Sequence, residues 1–134
     1  FDSANRFLDS VQSRNGALYG YQNGEPRNST TAVGLLGRMY LGWKHDHAAL
    51  REGVMFLDKQ GPSKNDLYYN YYATQVMRHY GGEPWKRWNT KMREYLIATQ
   101  ARNGHETGSW YFPEQHNDQG GRLLNTCLAA MTLE

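Results

Sequence analysis

Hydrophobic side chains recur at helical spacing along most of the chain. Asp2 or Ser3 can cap a first helix, and a stripe at positions i, i+3, i+4 and i+7 follows. This stripe consists of Ala4, Phe7, Leu8 and Val11. The clearest stripe begins after Pro84, which suits the first turn of a helix, and consists of Trp85, Trp88, Met92, Tyr95, Leu96 and Thr99. Both segments are predicted to be amphipathic helices.

Two further helices are predicted between these segments. Residues 30–41 are almost wholly apolar or small, which indicates a buried helix, and Gly34 and Gly37 would admit a close neighbour. Asp46 can cap the next helix, which should stop at Gln60-Gly61-Pro62. Its buried face would carry Leu50, Gly53, Val54 and Leu57.

Residues 67–80 carry opposing signals. Their dense tyrosines favour a β-strand. Gly81-Gly82 would end a helix, however, and the segment holds the same place in the repeat described next as residues 30–41. We therefore predict a helix here, and a sixth helix from about residue 122 to the end of the chain.

One pattern occurs twice in full and a third time in degenerate form: an amphipathic helix, a glutamine at its end, a nearby glycine and then an aromatic residue, of which the third copy keeps the helix, the glutamine and a glycine. The residues that carry it are Gln12, Gly16, Gln60, Gln100, Gly104 and Trp110. The glutamines are about 40 to 50 residues apart, the period of helical repeats. We therefore predict one all-α domain over residues 1–134, a section of an α/α solenoid or toroid built from three helical hairpins. Amphipathic helices would form its outer layer and apolar helices its inner layer.

Composition and charge exclude several classes of protein. With 39% hydrophobic residues the chain can form a core. Lys and Arg exceed Asp and Glu by only 15 to 13, without a basic run, so no nucleic-acid partner is expected. No apolar run has the roughly 20 residues of a transmembrane helix. The chain starts at Phe1 and reaches Glu134 without a helix-stop signal, so we expect an incomplete fragment of a longer protein.

The repeat residues, the turn Trp110-Tyr111-Phe112-Pro113 and the run from Gly120 to the end resemble a known family. The Gln and aromatic pattern is similar to the QW repeat of squalene-hopene cyclases and to the repeats of protein prenyltransferase β subunits. Bacterial proteins with prenyltransferase and squalene oxidase repeats share it. The resemblance covers nearly all of the chain. It implies an α/α toroid of six or more hairpins around an apolar cavity, of which half are present here.

The family also implies chemistry, which this sequence carries only in part. Cyclases use an Asp-x-Asp-Asp acid motif, and no such run is present. Prenyltransferases bind zinc through an Asp, a Cys two residues later and a more distant His. The matching positions are Asn125 and Cys127, and a neutral Asn replaces a carboxylate poorly. We therefore expect no cofactor, with zinc at Cys127 as the alternative to a packed small residue.

A second candidate metal or acid–base site lies in the turn before the sixth helix. It combines His105 and Glu106 with His116 and Asp118, residue types that bind metals and transfer protons. His105-Glu106 does not form the His-Glu-x-x-His zinc motif. A solvated, hydrogen-bonded turn is the alternative interpretation.

The strongest candidate for ligand binding is a group of tyrosines at the start of a predicted inner helix, Tyr68, Tyr69, Tyr71 and Tyr72. Aromatic faces in a cavity stabilise cations. The alternative is that these rings fill the space between the layers. The resemblance predicts an apolar, Tyr-lined cavity, with Asn125 as a further lining candidate, that binds an isoprenoid, a lipid or a polypeptide. The alternatives are a section of an active cyclase or zinc prenyltransferase, and a non-catalytic scaffold for a protein partner.

Overall fold

The computed structural model describes residues 2–113 and 117–134, except for the side chains of 117–119, and helices dominate this part of the chain. They are α1 (Asp2–Val11), α2 (Asn28–Tyr40), α3 (Ala48–Gln60), α4 (Leu67–Tyr80), α5 (Gly82–Thr99) and α6 (Asn117–Leu133). The prediction of a mostly helical chain is confirmed.

Helix α4 has the predicted bounds, which confirms a helix over a strand for the tyrosine-rich segment. Its N-terminus is capped by Asp66, whose carboxylate oxygen accepts a hydrogen bond from the backbone N–H of Tyr69 at 2.8 Å. The predicted cap of α3 at Asp46 is wrong. The residue before this helix is His47, whose carbonyl oxygen accepts the first helical hydrogen bond from Arg51.

Helix α6 contains a break at Gly121, where φ is +59°. A residue in this left-handed region interrupts a regular helix, and glycine adopts it without strain. The regular part of α6 thus begins near Arg122, where the sequence predicts the sixth helix.

A short β-ribbon follows α1 and was not predicted. Strands β1 (Gln12–Ser13) and β2 (Leu18–Tyr19) are antiparallel, with Gln12 opposite Tyr19. A 3-10 turn, Arg14–Gly16, joins the strands, and all three of its residues have positive φ. This tight turn brings the aromatic ring of Tyr19 under α2, where a methyl group on Gly34 would overlap the ring. The close neighbour predicted for Gly34 is therefore this ring and not a second helix.

Helices α2, α4 and α6 form one row, and α3 and α5 pack beside it. Helix α4 lies between α2 and α6, and α3 contacts both α5 and α2. Helix α1 reaches α2 through the ion pair of Asp9 with Arg38. The main hydrophobic core joins buried residues of these helices with Tyr19 and Trp110 of the turns. After the layers predicted from the sequence, we call α2, α4 and α6 the inner row and α1, α3 and α5 the outer row.

Each inner-row helix holds the preceding turn with one polar side chain near its start. The Thr31 hydroxyl accepts from the N–H of Tyr19 at 3.1 Å and donates to its carbonyl oxygen at 3.3 Å. Asn70 makes the same pair of contacts with Ser63, both at 2.8 Å. Thr126 does so with Trp110 at 3.2 and 3.4 Å. We call these three pairs the tethers. They recur once in each hairpin, as expected for a structural repeat.

Replacing Asn70 by alanine should lower the free energy of unfolding by about 1–3 kcal/mol, because Ser63 would lose partners for both its N–H and its C=O. Asn70 is buried, so water cannot fully replace the amide. Urea denaturation followed by circular dichroism would measure the loss. The control is Asn89→Ala on the exposed face of α5, with an expected change within about 0.5 kcal/mol. Equal losses in the two variants would show that the tether adds nothing.

Candidate functional site

One face of α4 carries the candidate site. Tyr68, Tyr72, Gln75 and His79 follow one another at intervals of four, three and four, which places them on one side of the helix. The opposite side packs on α5, where the hydroxyl of Thr74 accepts a hydrogen bond from the indole N–H of Trp88 at 2.8 Å. The stripe from Tyr68 to His79 therefore lies away from the outer row. All four of its residues are at least partly accessible to solvent.

Two residues of this stripe and the neighbouring Tyr71 form a contiguous group, the tyrosine cluster: Tyr68, Tyr71 and Tyr72. The rings of Tyr68 and Tyr72 lie 4.7 Å apart between centroids, and those of Tyr71 and Tyr72 lie 5.1 Å apart, nearly edge to face. Partial burial, with a smaller contribution from the hydrogen bond to Tyr72, raises the pKa of Tyr68 to about 12. Its phenol is therefore neutral at physiological pH and acts as a hydrogen-bonding group.

Tyr69 does not belong to the tyrosine cluster. Its side chain is buried on the opposite side of α4, with its ring edge-on to Trp88 at 6.0 Å. The hydroxyl donates to the carbonyl oxygen of Gly61 at 3.1 Å, and burial raises the pKa of the phenol. Tyr69 thus fills the space between the rows, whereas the other three tyrosines are partly accessible.

The two residues that match the zinc positions of the prenyltransferases point in different directions. Asn125 is buried, and its amide nitrogen donates to the carbonyl oxygen of Gly121 at 2.7 Å across the break in α6. Cys127 is exposed. In residues 2–113 and 117–134, no three His, Cys, Asp or Glu side chains come together as a metal site would require.

The turn before α6 holds the other candidate metal ligands. The side chain of His105 is 93% exposed and lies 3.9 Å from the carboxylate of Glu106. Glu106 in turn pairs with the guanidinium of Arg122 at 2.9 Å, which ties the turn to α6. His116 and the side chain of Asp118 lie outside the described residues. The described part of this turn forms an exposed ion-pair network.

The glutamines of the repeat lie at the ends of the outer-row helices. Gln12 follows α1, Gln60 is the last residue of α3, and Gln100 follows α5. The Gln100 amide donates to the carbonyl oxygen of Gly108 at 2.9 Å, across the turn that contains Gly104. Gly104, like Gly16 in the first hairpin, has positive φ. Gln100 thus has a structural role in the turn of the third hairpin.

Trp110 closes the third hairpin. It is 5% exposed, and its indole N–H donates to the carbonyl oxygen of Leu96 at 2.8 Å. Together with its tether to Thr126, this hydrogen bond fixes the turn against both helices of the hairpin. Trp110 therefore holds the hairpin together from inside the core.

Sequence reasoning missed a cleft at the C-terminal ends of α2 and α4. Its volume is about 580 Å³, and it is lined by Met39, Tyr40, Trp43, Lys44, His45, Asp46 and His79. Two of these residues contact His79: the Tyr40 ring lies 5.7 Å from the imidazole, and His45 Nε2 lies 3.4 Å from the backbone oxygen. The local signal was present, since aromatic and histidine residues follow Gly42. The sequence alone does not indicate that this turn lies beside the end of α4.

No protein-family model, curated protein or solved structure matches this chain. In the described part of the chain, none of the helices is long and apolar enough to cross a membrane.

Proposed function

We propose that the chain is a section of an α/α toroid of the terpenoid cyclase and protein prenyltransferase type, and that the free face of its inner row binds an isoprenoid or lipid chain. The observation that carries this proposal is the partly accessible stripe on α4, from the tyrosine cluster to His79. In a toroid of helical hairpins, this side of the inner row would face the central cavity.

The chemistry of the stripe supports an apolar ligand. The tyrosine cluster offers aromatic rings and hydroxyls, so a hydrocarbon chain could pack against it without displacing a charged side chain of the cluster. Burial of apolar surface contributes about 25 cal/mol per Å². At the other end of the stripe, the ring contact of His79 with Tyr40 extends the aromatic surface onto α2. An elongated chain could therefore lie along α4 and reach its neighbour.

Titration of the 134-residue chain with farnesol and with palmitate, followed by isothermal calorimetry, tests the proposal. We expect saturable binding of at least one of them. Tyr68→Ala should weaken it about tenfold, because a ring of the contact surface is lost. Tyr68 is 41% exposed, so this variant should keep its fold, which circular dichroism would check.

The matched control is Phe7→Ala. Phe7 is 59% exposed on α1, in the outer row, and its removal should leave the affinity unchanged. The proposal fails if neither probe binds, or if Tyr68→Ala and Phe7→Ala weaken binding equally. Binding that requires added Zn²⁺ would instead favour a zinc prenyltransferase section, and binding of extended peptides alone would favour a protein scaffold.

A further inference from the structure

The cleft at the ends of α2 and α4 has the size of a small-molecule site. Its volume of about 580 Å³ lies within the range of about 300–1,000 Å³ that is usual for such sites. Backbone hydrogen bonds define its wall: the N–H of Trp43 donates to the carbonyl oxygen of Arg38 at 2.9 Å, and that of His47 to Lys44 at 2.9 Å. The turn after α2 is thereby folded back beside the end of α4.

Aromatic rings make up most of this wall. Tyr40 lies edge-on to the imidazole of His79, and the ring of His45 lies 4.8 Å from that of Tyr80. Trp43 stacks on His47 at 3.7 Å between centroids. Rings present a negative face to a neighbouring cation, so such a wall favours positive charge.

A buried cation, which is paired with Asp9, lies behind the wall. The guanidinium of Arg38 lies 5.0 Å from the centroid of the Trp43 ring, within the distance of a cation–π contact. Arg38 approaches from the protein interior, where it is 4% exposed. Arg38 and the stacked His47 thus cover the two faces of the Trp43 ring, so Tyr40 is the tyrosine ring of the lining that is open to a ligand.

The charges around the cleft also favour a cation. The C-terminal ends of α2 and α4 meet here, and each carries roughly half a negative charge from its helix dipole. Among the lining side chains, Asp46 adds one negative charge and Lys44 one positive charge. Lys44 is exposed, and its long side chain can extend into solvent. The charges of Asp46 and Lys44 offset each other, and the two helix C-termini add negative charge.

We infer that this cleft binds an organic ammonium group, such as a quaternary ammonium. The ring of Tyr40, the carboxylate of Asp46 and the two helix C-termini would surround its positive charge. A methylated ammonium suits this lining better than a metal ion, because its charge is spread over apolar methyl groups. The inference goes beyond the proposed function, since a small ammonium ion carries no hydrocarbon chain and needs no contact with the tyrosine cluster.

A matched pair of probes tests whether binding depends on the positive charge of the ligand. Choline and its neutral isostere 3,3-dimethylbutan-1-ol have nearly the same shape, so their affinities differ through the positive charge. Titrations of the whole chain, followed by the NMR signals of the His45 and His79 rings, should give an affinity at least about tenfold higher for choline. Equal affinities would overturn the inference. So would binding of inorganic phosphate in preference to choline, because Lys44 and the histidines would then form an anion site.

Substitutions of lining residues test whether the ammonium group binds in this cleft. Tyr40→Ala removes a ring that is 69% exposed, so the fold should persist while the affinity for choline falls at least about fivefold. Asp46→Asn should also weaken binding, whereas Lys44→Gln should strengthen it. Tyr111→Ala is the control, because this 40% exposed tyrosine lies in the turn before α6 and does not line the cleft. An unchanged affinity in both Tyr40→Ala and Asp46→Asn would overturn the inference.

Discussion

Replacing Trp88 by alanine should lower the free energy of unfolding by about 3–5 kcal/mol, the usual cost of deleting a buried aromatic side chain. Trp88 is 1% exposed and contacts the ring edge of Tyr69. Its indole N–H also donates to the buried hydroxyl of Thr74, which would be left without this donor. Chemical denaturation at neutral pH, followed by circular dichroism, would measure the change.

Two further variants separate the contribution of the hydrogen bond to Thr74 from that of the buried ring. Trp88→Phe keeps a ring in the core but removes the hydrogen bond to Thr74, so it should cost less than Trp88→Ala. Trp85→Ala removes the same type of side chain one turn earlier on α5, where it is only half-buried. If Trp88→Ala costs no more than Trp85→Ala, the contact between α4 and α5 does not depend on this residue.

Replacing Arg38 by methionine should lower the free energy of unfolding by about 2–4 kcal/mol, because a buried hydroxyl would lose its partner and α1 its attachment. The guanidinium donates to the Tyr19 hydroxyl at 3.0 Å and to the Asn5 side chain at 2.9 Å, and it pairs with Asp9. Methionine fills much of the volume but donates no hydrogen bond. Thermal unfolding and urea unfolding should both show that Arg38→Met is less stable than the unchanged protein.

The two side chains of the Arg38–Asp9 ion pair differ in exposure, and substitution of the more exposed one, Asp9, supplies the control. The side chain of Asp9 is 56% exposed, whereas that of Arg38 is 5% exposed. Asp9→Asn keeps a hydrogen-bond acceptor for the guanidinium but removes the charge, so it should cost less than Arg38→Met. A loss as large as that of Arg38→Met would mean that the charge of Asp9, and not the contact with Tyr19, holds the first hairpin together.

The helices could be predicted where periodicity and stop signals agree. Gly81 ends α4 as predicted because it adopts positive φ, and the repeat correctly outweighed the strand preference of the tyrosines. The prediction that Asp46 caps α3 is wrong for a structural reason. The turn before α3 is shaped by the stacking of Trp43 on His47, a contact that the identity of a capping residue does not indicate.

The candidate site was predictable in part. The sequence indicates that the tyrosines start an inner-row helix, but grouping all four together ignores helical phase. Tyr69 shares its face with Ala73 and Val76, both buried, and this period was visible in the sequence. The cleft beside His79 was not predictable, since it depends on two segments more than thirty positions apart meeting in space, as His45 and His79 do.

The tethers imply an order of assembly. The residues they join are 12, 7 and 16 positions apart, so each closes a short stretch of chain. Short-range closure costs little chain entropy and is fast. Each inner helix can thus capture its own turn before it meets another hairpin, and the second hairpin has the shortest span to close. Because α4 also lies between α2 and α6, the segment that closes most readily is the one on which both neighbours pack.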